Sequence, residues 1–217
     1  MCATAAATNI TVLHLPHTML EQRIQQHFFD SADLKYQSAE SLTGPIARAV
    51  DVLATAVSNG HKILICGNGG SAADSQHLAA ELVGRFERER PELAAIALTT
   101  DTSILTAVAN DYGFDHVFSK QVRALGLPGD VLVAFSTSGN SSSIVEAVRV
   151  AQEREMSVVA LTGRSGGRVA GLLREVDVHI AVPNDRTARI QEVHLLTLHC
   201  LCDGLDWLLM GEPESSE

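Results

Sequence analysis

Five short apolar runs punctuate the chain beyond Lys62: ILIC (63–66), LAAIAL (93–98), VLVAF (131–135), SVVALT (157–162) and VDVHIAV (176–182), with helix-like segments between most of them. Runs this short and this continuous read as strands apolar on both sides. Such strands need cover on both faces, which intervening helices supply in a parallel sheet. The pattern predicts an α/β fold: a three-layer, doubly wound, five-stranded parallel sheet spanning residues 61–211.

Three of the runs end alike. ILICGNGGSAADSQHLAAEL, VLVAFSTSGNSSSIVEAV and VVALTGRSGGRVAGLL each pass from strand through a Gly/Ser/Thr turn into a helix. In a parallel sheet these turns gather at the carboxyl edge, where ligands bind at a switch point. Helix N-termini there carry free N–H groups and partial positive charge, which suits an anion. Between Ser136 and Ser143 six of eight residues bear hydroxyls. One Ser or Thr suffices to cap a helix, so the surplus points to a bound phosphate.

Other phosphate-binding classes fit less well. Gly67-Asn-Gly69-Gly-Ser-Ala72 matches the G-x-G-x-x-A dinucleotide pattern, but the acid ending the next strand, Asp101, lies well past the roughly 20-residue offset of a ribose contact. The chain lacks G-x-x-x-x-G-K-[ST], and no basic side chain sits in the first two turns, which argues against an NTP-hydrolysing loop. A formal net charge of −10 argues against direct nucleic-acid binding. No continuous apolar stretch reaches the roughly 18 residues of a membrane span, and the first basic residue is Arg23, unlike a secretory leader. Four cysteines without a C-x-x-C pair fit a reducing compartment. The expectation is a cytoplasmic protein that does not engage membranes.

Residues 1–18 show no period and read as a loose extension, with Met19 a candidate start. From 19 to 60, apolar residues recur at helical spacing (Ile24, Phe28, then Ile46, Val50, Leu53, Val57), with Gly44-Pro45 expected to separate two helices that offer an oligomer face. About Arg186 to Met210 reads as one long apolar helix, and 212–217 as a tail.

Two groups could do chemistry. His77 and Glu81 stand at i and i+4, one helical turn apart, beyond the first phosphate turn. That spacing serves a metal, an acid–base couple or a plain surface pair. The second group is Gln191, Glu192, His194 and His199 in RIQEVHLLTLHCLCD. At about 100° per residue Gln191 neighbours His194, while His199 lies two turns on.

GNGGS (67–71), NDYGF (110–114), GDVLVAFSTSGNS (129–141), LTGRSGG (161–167) and RIQEVH (189–194) together resemble the sugar-isomerase (SIS) domain, and within it the phosphoheptose isomerase branch with its DnaA-associating relatives. The resemblance runs from about Met19 to Leu209 and implies a flavodoxin-like sheet and a homotetramer with sites between subunits. It implies a phosphosugar ligand, with the phosphate on Ser136, Thr137, Ser138 and Ser141, and Asn68, Gly69, Gly70 and Ser71 supporting the sugar. It implies zinc at His77, Glu81, Gln191 and His199, with Glu81 as general base and His199 as the opposing acid–base group; His194 is the second choice. Arg85 and Asp101 resemble positions lining the sugar. One position departs: many phosphoheptose isomerases read Asp-Arg-Ile-Gln where this chain reads Ala188-Arg-Ile-Gln, which removes a candidate sugar contact.

The expected activity is conversion of sedoheptulose 7-phosphate to D-glycero-D-manno-heptose 7-phosphate, feeding lipopolysaccharide heptose. The alternative is a non-catalytic SIS tetramer that binds the replication initiator DnaA, since the C-terminal segment resembles that subgroup. The polar quartet separates the two, because burying such groups unpaired costs about 1–3 kcal/mol each and a scaffold has no reason to keep them.

Overall fold

The computed structural model describes residues 16–212. Helix α1 (His17–Ser58) leads into strand β1 (Ile63–Cys66), α2 (Gly70–Val83), β2 (Ala95–Ala97), α3 (Thr102–Tyr112), α4 (Ser119–Leu125), β3 (Val131–Ser136), α5 (Ser142–Glu153), β4 (Ser157–Gly163), α6 (Gly167–Ala170), β5 (Val178–Val182) and α7 (Thr187–Met210). All five apolar runs form strands. They pair in parallel in the order β2-β1-β3-β4-β5, so the switch point lies between β1 and β3.

Side chains alternate between two cores. Ile63, Ile65, Val131, Val133 and Phe135 face α1, α2 and α7, whereas Leu64, Cys66, Leu132 and Ala134 face α4 and α5. The central strands β1 and β3 are buried at every residue, as continuous apolar runs require. Edge strand β2 shortens to three residues and leaves Ile96 exposed.

The N-terminal segment differs from expectation. α1 is a single helix of 42 residues that carries Pro45 inside it. Proline costs a helix first by crowding the preceding residue's Cβ, and second by clashing with the i−4 carbonyl and removing one N–H. Gly44 has no Cβ, so the first cost shrinks, and burial of Leu42, Ala49, Val50 and Leu53 on one face carries the helix across the second. The expected loose extension falls mostly outside the described residues, as do residues 213–217; His17 and Thr18 already belong to α1.

α7 averages a hydropathy of 1.2 over an 18-residue window, enough by composition to cross a membrane. Here it is a core helix: Ile190, Leu198, Leu201 and Leu205 are fully buried. Gly204 lets α1 approach, since a Cβ there would lie 2.7 Å from Val50 Cγ2. Met19, Leu20, Ile24, Phe28 and Phe29 remain exposed along the first half of α1.

Restoring the missing N–H with Pro45→Ala is expected to raise stability by up to about 3 kcal/mol, read as a higher urea midpoint. A lower midpoint would count against an uninterrupted α1.

Candidate active site at the carboxyl edge of the sheet

The hydroxyl-rich turn leaves β3 at Ser136 and enters α5 at Ser142. Ser141 occupies the N-cap yet makes no side-chain cap bond. Its Oγ instead accepts a hydrogen bond from Ser136 Oγ at 3.3 Å, so capping does not consume it. The backbone turns tightly, with Gly139 N donating to Ser136 O at 2.9 Å. Gly139 has φ +65°, and a Cβ there would lie 1.9 Å from Gly166 O, so only glycine fits. The β4–α6 turn braces it: Arg168 N donates to Asn140 Oδ1 at 3.0 Å and Val169 N to Gly139 O at 2.9 Å. Asn140 N in turn donates to Ser138 Oγ at 3.1 Å.

Across the switch point the β1–α2 turn runs beside it. Asn68 Nδ2 donates to Ser143 Oγ at 3.0 Å, tying the two turns together. Gly69 is the N-cap of α2 and Ser71 is buried in its first turn. Two helix N-termini therefore meet at one place, each with the partial positive charge of its dipole. The site can hold an anion with neutral donors alone.

The second group assembles on α2 and α7. His77 Nε2 lies 2.9 Å from Glu81 Oε1. The His199 ring stands 5.2 Å from the His77 ring, centroid to centroid, and stacks on Phe86 at 5.5 Å. Gln191 lies further up the seam, its amide against Gly70, where a Cβ would come within 2.5 Å of Nε2. Three of the quartet thus stand side by side, with the fourth at the phosphate turn.

His194 points elsewhere. It is fully buried, donates from Nε2 to Thr162 O at 3.0 Å and meets Phe135 edge-on. Burial holds its pKa down to about 4, with the Thr162 bond opposing. It is a core histidine, and His199 is the one that faces His77.

Arg85 pairs with Glu89 at 3.1 Å on the surface. Asp101 caps α3, accepting from Ile104 N at 2.9 Å. Neither joins the other candidates within this chain. Sequence reasoning counted Ser143 and the Gly166–Gly167 turn in its motifs without giving them a role, and did not single out Asp74. Asp74 lies on α2 three residues before His77, and one of its carboxylate oxygens is buried without a partner. Burial raises its pKa while His77 pulls it down. The Asp-x-x-His spacing was the available signal.

Two imidazoles and a carboxylate are donors that zinc accepts, so the residue types fit. Among the described residues no three His, Cys, Asp or Glu side chains are disposed as a ready metal site; His77 and Glu81 contact each other directly.

The SIS-domain family model matches residues 27–163. A phosphoheptose isomerase of Methylibium petroleiphilum is 63% identical over 196 residues, covering 90% of this chain and 98% of the relative. The solved phosphoheptose isomerase GmhA from Neisseria gonorrhoeae is 56% identical with a TM-score of 0.83, covering 86% of this chain and 98% of that one. That from Francisella tularensis is 45% identical, also with a TM-score of 0.83, over 85% and 97%. Fold and turns define an SIS domain, and the chain belongs to the phosphoheptose isomerase branch of that family.

Two outcomes test this description. Ser141→Ala is expected to weaken binding of a phosphate ester about 10- to 100-fold, the worth of one hydrogen bond to a charged group, at unchanged melting temperature; titration calorimetry reads the first. His194 has a folded pKa near 4, below the unfolded value of about 6.5. The unfolded chain therefore binds the extra proton between these values, and stability falls as pH drops from about 6.5 to about 4, by on the order of 3 kcal/mol. Urea midpoints across that window should show the slope, and His194→Phe should flatten it.

Proposed function

We propose that this chain interconverts sedoheptulose 7-phosphate and D-glycero-D-manno-heptose 7-phosphate by proton transfer through an enediol, supplying lipopolysaccharide heptose. The observation that carries it is the His77–Glu81 contact of 2.9 Å facing the His199 ring across the α2–α7 seam. A carboxylate and an opposing imidazole are what moving a proton between adjacent carbons needs.

The phosphate sits among Ser136, Thr137, Ser138 and Ser141, with Asn68, Gly69, Gly70 and Ser71 below the sugar. Glu81 removes a proton from C1 of the ketose while His199, as imidazolium, gives one to the carbonyl oxygen at C2. The neutral enediol then returns its O1 proton to His199, and Glu81 delivers its proton to C2. C1 becomes the aldehyde, and both groups end as they began. His77 orients Glu81. Zinc is the proposed metal: His77, Glu81, Gln191 and His199 would hold it and it would polarise the substrate oxygens, whereas the proton transfers above use Glu81 and His199 free of metal.

We further propose a homotetramer in the cytoplasm, with active sites between subunits. Glu81 lies eleven residues along α2 from Gly70, about 16 Å of axial rise. One sugar phosphate spans that poorly within a single chain, which favours a phosphate turn and a base from different copies. The exposed apolar residues of α1, including Phe28 at 72% exposure, would be covered by such packing. Binding of the DnaA initiator is the alternative use of the same assembly.

Purified protein incubated with sedoheptulose 7-phosphate, with and without zinc, is expected to form the aldose by NMR. Glu81→Gln is expected to lose about 10²- to 10⁴-fold in rate. Absence of turnover in wild type with zinc added, together with tight DnaA binding, would reverse the proposal.

A further inference from the structure

Arg90 and Asp206 form the one ion pair among the described residues in which both side chains are almost wholly buried, at 1% and 3% exposure. Arg90 Nε donates to Asp206 Oδ1 at 2.8 Å. The guanidinium also donates from Nη2 to Glu81 O at 2.7 Å, and from Nη1 to Leu82 O at 2.8 Å and Pro91 O at 3.1 Å. The second oxygen of Asp206 is buried without a partner.

A buried pair is poor value as a stabiliser, because desolvation offsets most of the attraction, and apolar residues of similar size do as well. Its location is more informative than its strength. Glu81 and Leu82 lie in the last turn of α2, where carbonyls have no intrahelical donor, and a cation there satisfies both the carbonyls and the helix dipole. Asp206 lies seven residues after His199 on α7, two turns on and within about 20° of the same face. Cys202 lies between them, and its thiol is pushed up to about 12 by burial and then by the Glu81 and Asp206 carboxylates. One guanidinium thus ties the backbone of Glu81 to the helix face that carries His199.

We propose that Arg90 and Asp206 are positioning residues for the proton transfer: they hold the end of α2 in register with α7, so that Glu81 and His199 face one substrate at a fixed separation. This rests on the assignment of Glu81 and His199 above. The phosphate turns lie at the opposite end of α2, so loss of the pair leaves sugar-phosphate binding intact and slows the chemistry. A displacement near 1 Å is enough to cost about 100-fold.

The test uses full-length wild type, Glu81→Gln, Arg90→Lys and the apolar double variant Arg90→Met/Asp206→Leu. Each is assayed with sedoheptulose 7-phosphate and with the same substrate deuterated at C1, alongside a thermal melt. The double variant is expected to melt near wild type, with KM unchanged, kcat lowered about 10- to 100-fold and a larger primary isotope effect on kcat. Arg90→Lys keeps the charge but cannot reach both carbonyls and the carboxylate, and should fall between. A folded double variant with wild-type kcat and isotope effect, or with its loss confined to KM, overturns the proposal. Should the double variant not fold, Arg90→Lys decides: an unchanged kcat and isotope effect overturns it equally. Equal turnover by wild type and Glu81→Gln would remove the acid–base assignment and the positioning role with it, an outcome distinct from the others.

Discussion

Burial of β1 and β3 on both faces constrains everything else in this molecule. Strands that are apolar on each side cannot leave polar atoms in mid-sheet, so the hydrophilic groups of these segments collect in the turns at the carboxyl edge. The order β2-β1-β3-β4-β5 then sets the turns after β1 and β3 side by side. Asn68 and Ser143 close the gap. Two helix N-termini meet at one edge of the sheet as a consequence of strand order, with no basic side chain in either turn.

α2 carries groups of both kinds, from the turn and from the polar quartet, along its length. Its first turn carries Ser71 beneath the phosphate turn, its middle presents His77 to His199, and its last turn is held by Arg90. α7 runs beside it as a ruler: Gln191 lies against Gly70, His194 is anchored to the β4 carbonyl of Thr162, and Asp206 receives Arg90. Close approaches maintain the alignment. Ile190 packs where a Cβ on Gly163 would stand, and Val50 of α1 where one on Gly204 would. Enlarging either glycine would shift α7, and with it the imidazole facing His77.

Much of this was legible. Apolar runs and their turns marked all five strands, and in the hydroxyl-rich turn Ser141 makes no side-chain cap bond. The i, i+4 spacing put His77 beside Glu81. Gly44-Pro45 misled, because the local cost of a proline is overridden when the flanking turns bury Leu42 and Ala49 on one face. Within this chain Arg85 makes a surface pair and Asp101 a helix cap, contacts that residue spacing alone does not reveal.

The sequence by itself determined the layers, the anion-binding edge and the residue types available for acid–base work, because hydrophobic periodicity and turn chemistry are local properties of the chain. The tertiary structure decided which histidine of α7 meets His77, which polar groups serve the core, and that Arg90 returns to the end of α2. Those depend on the angular setting of one helix against another, which packing across more than a hundred residues fixes and no local pattern encodes.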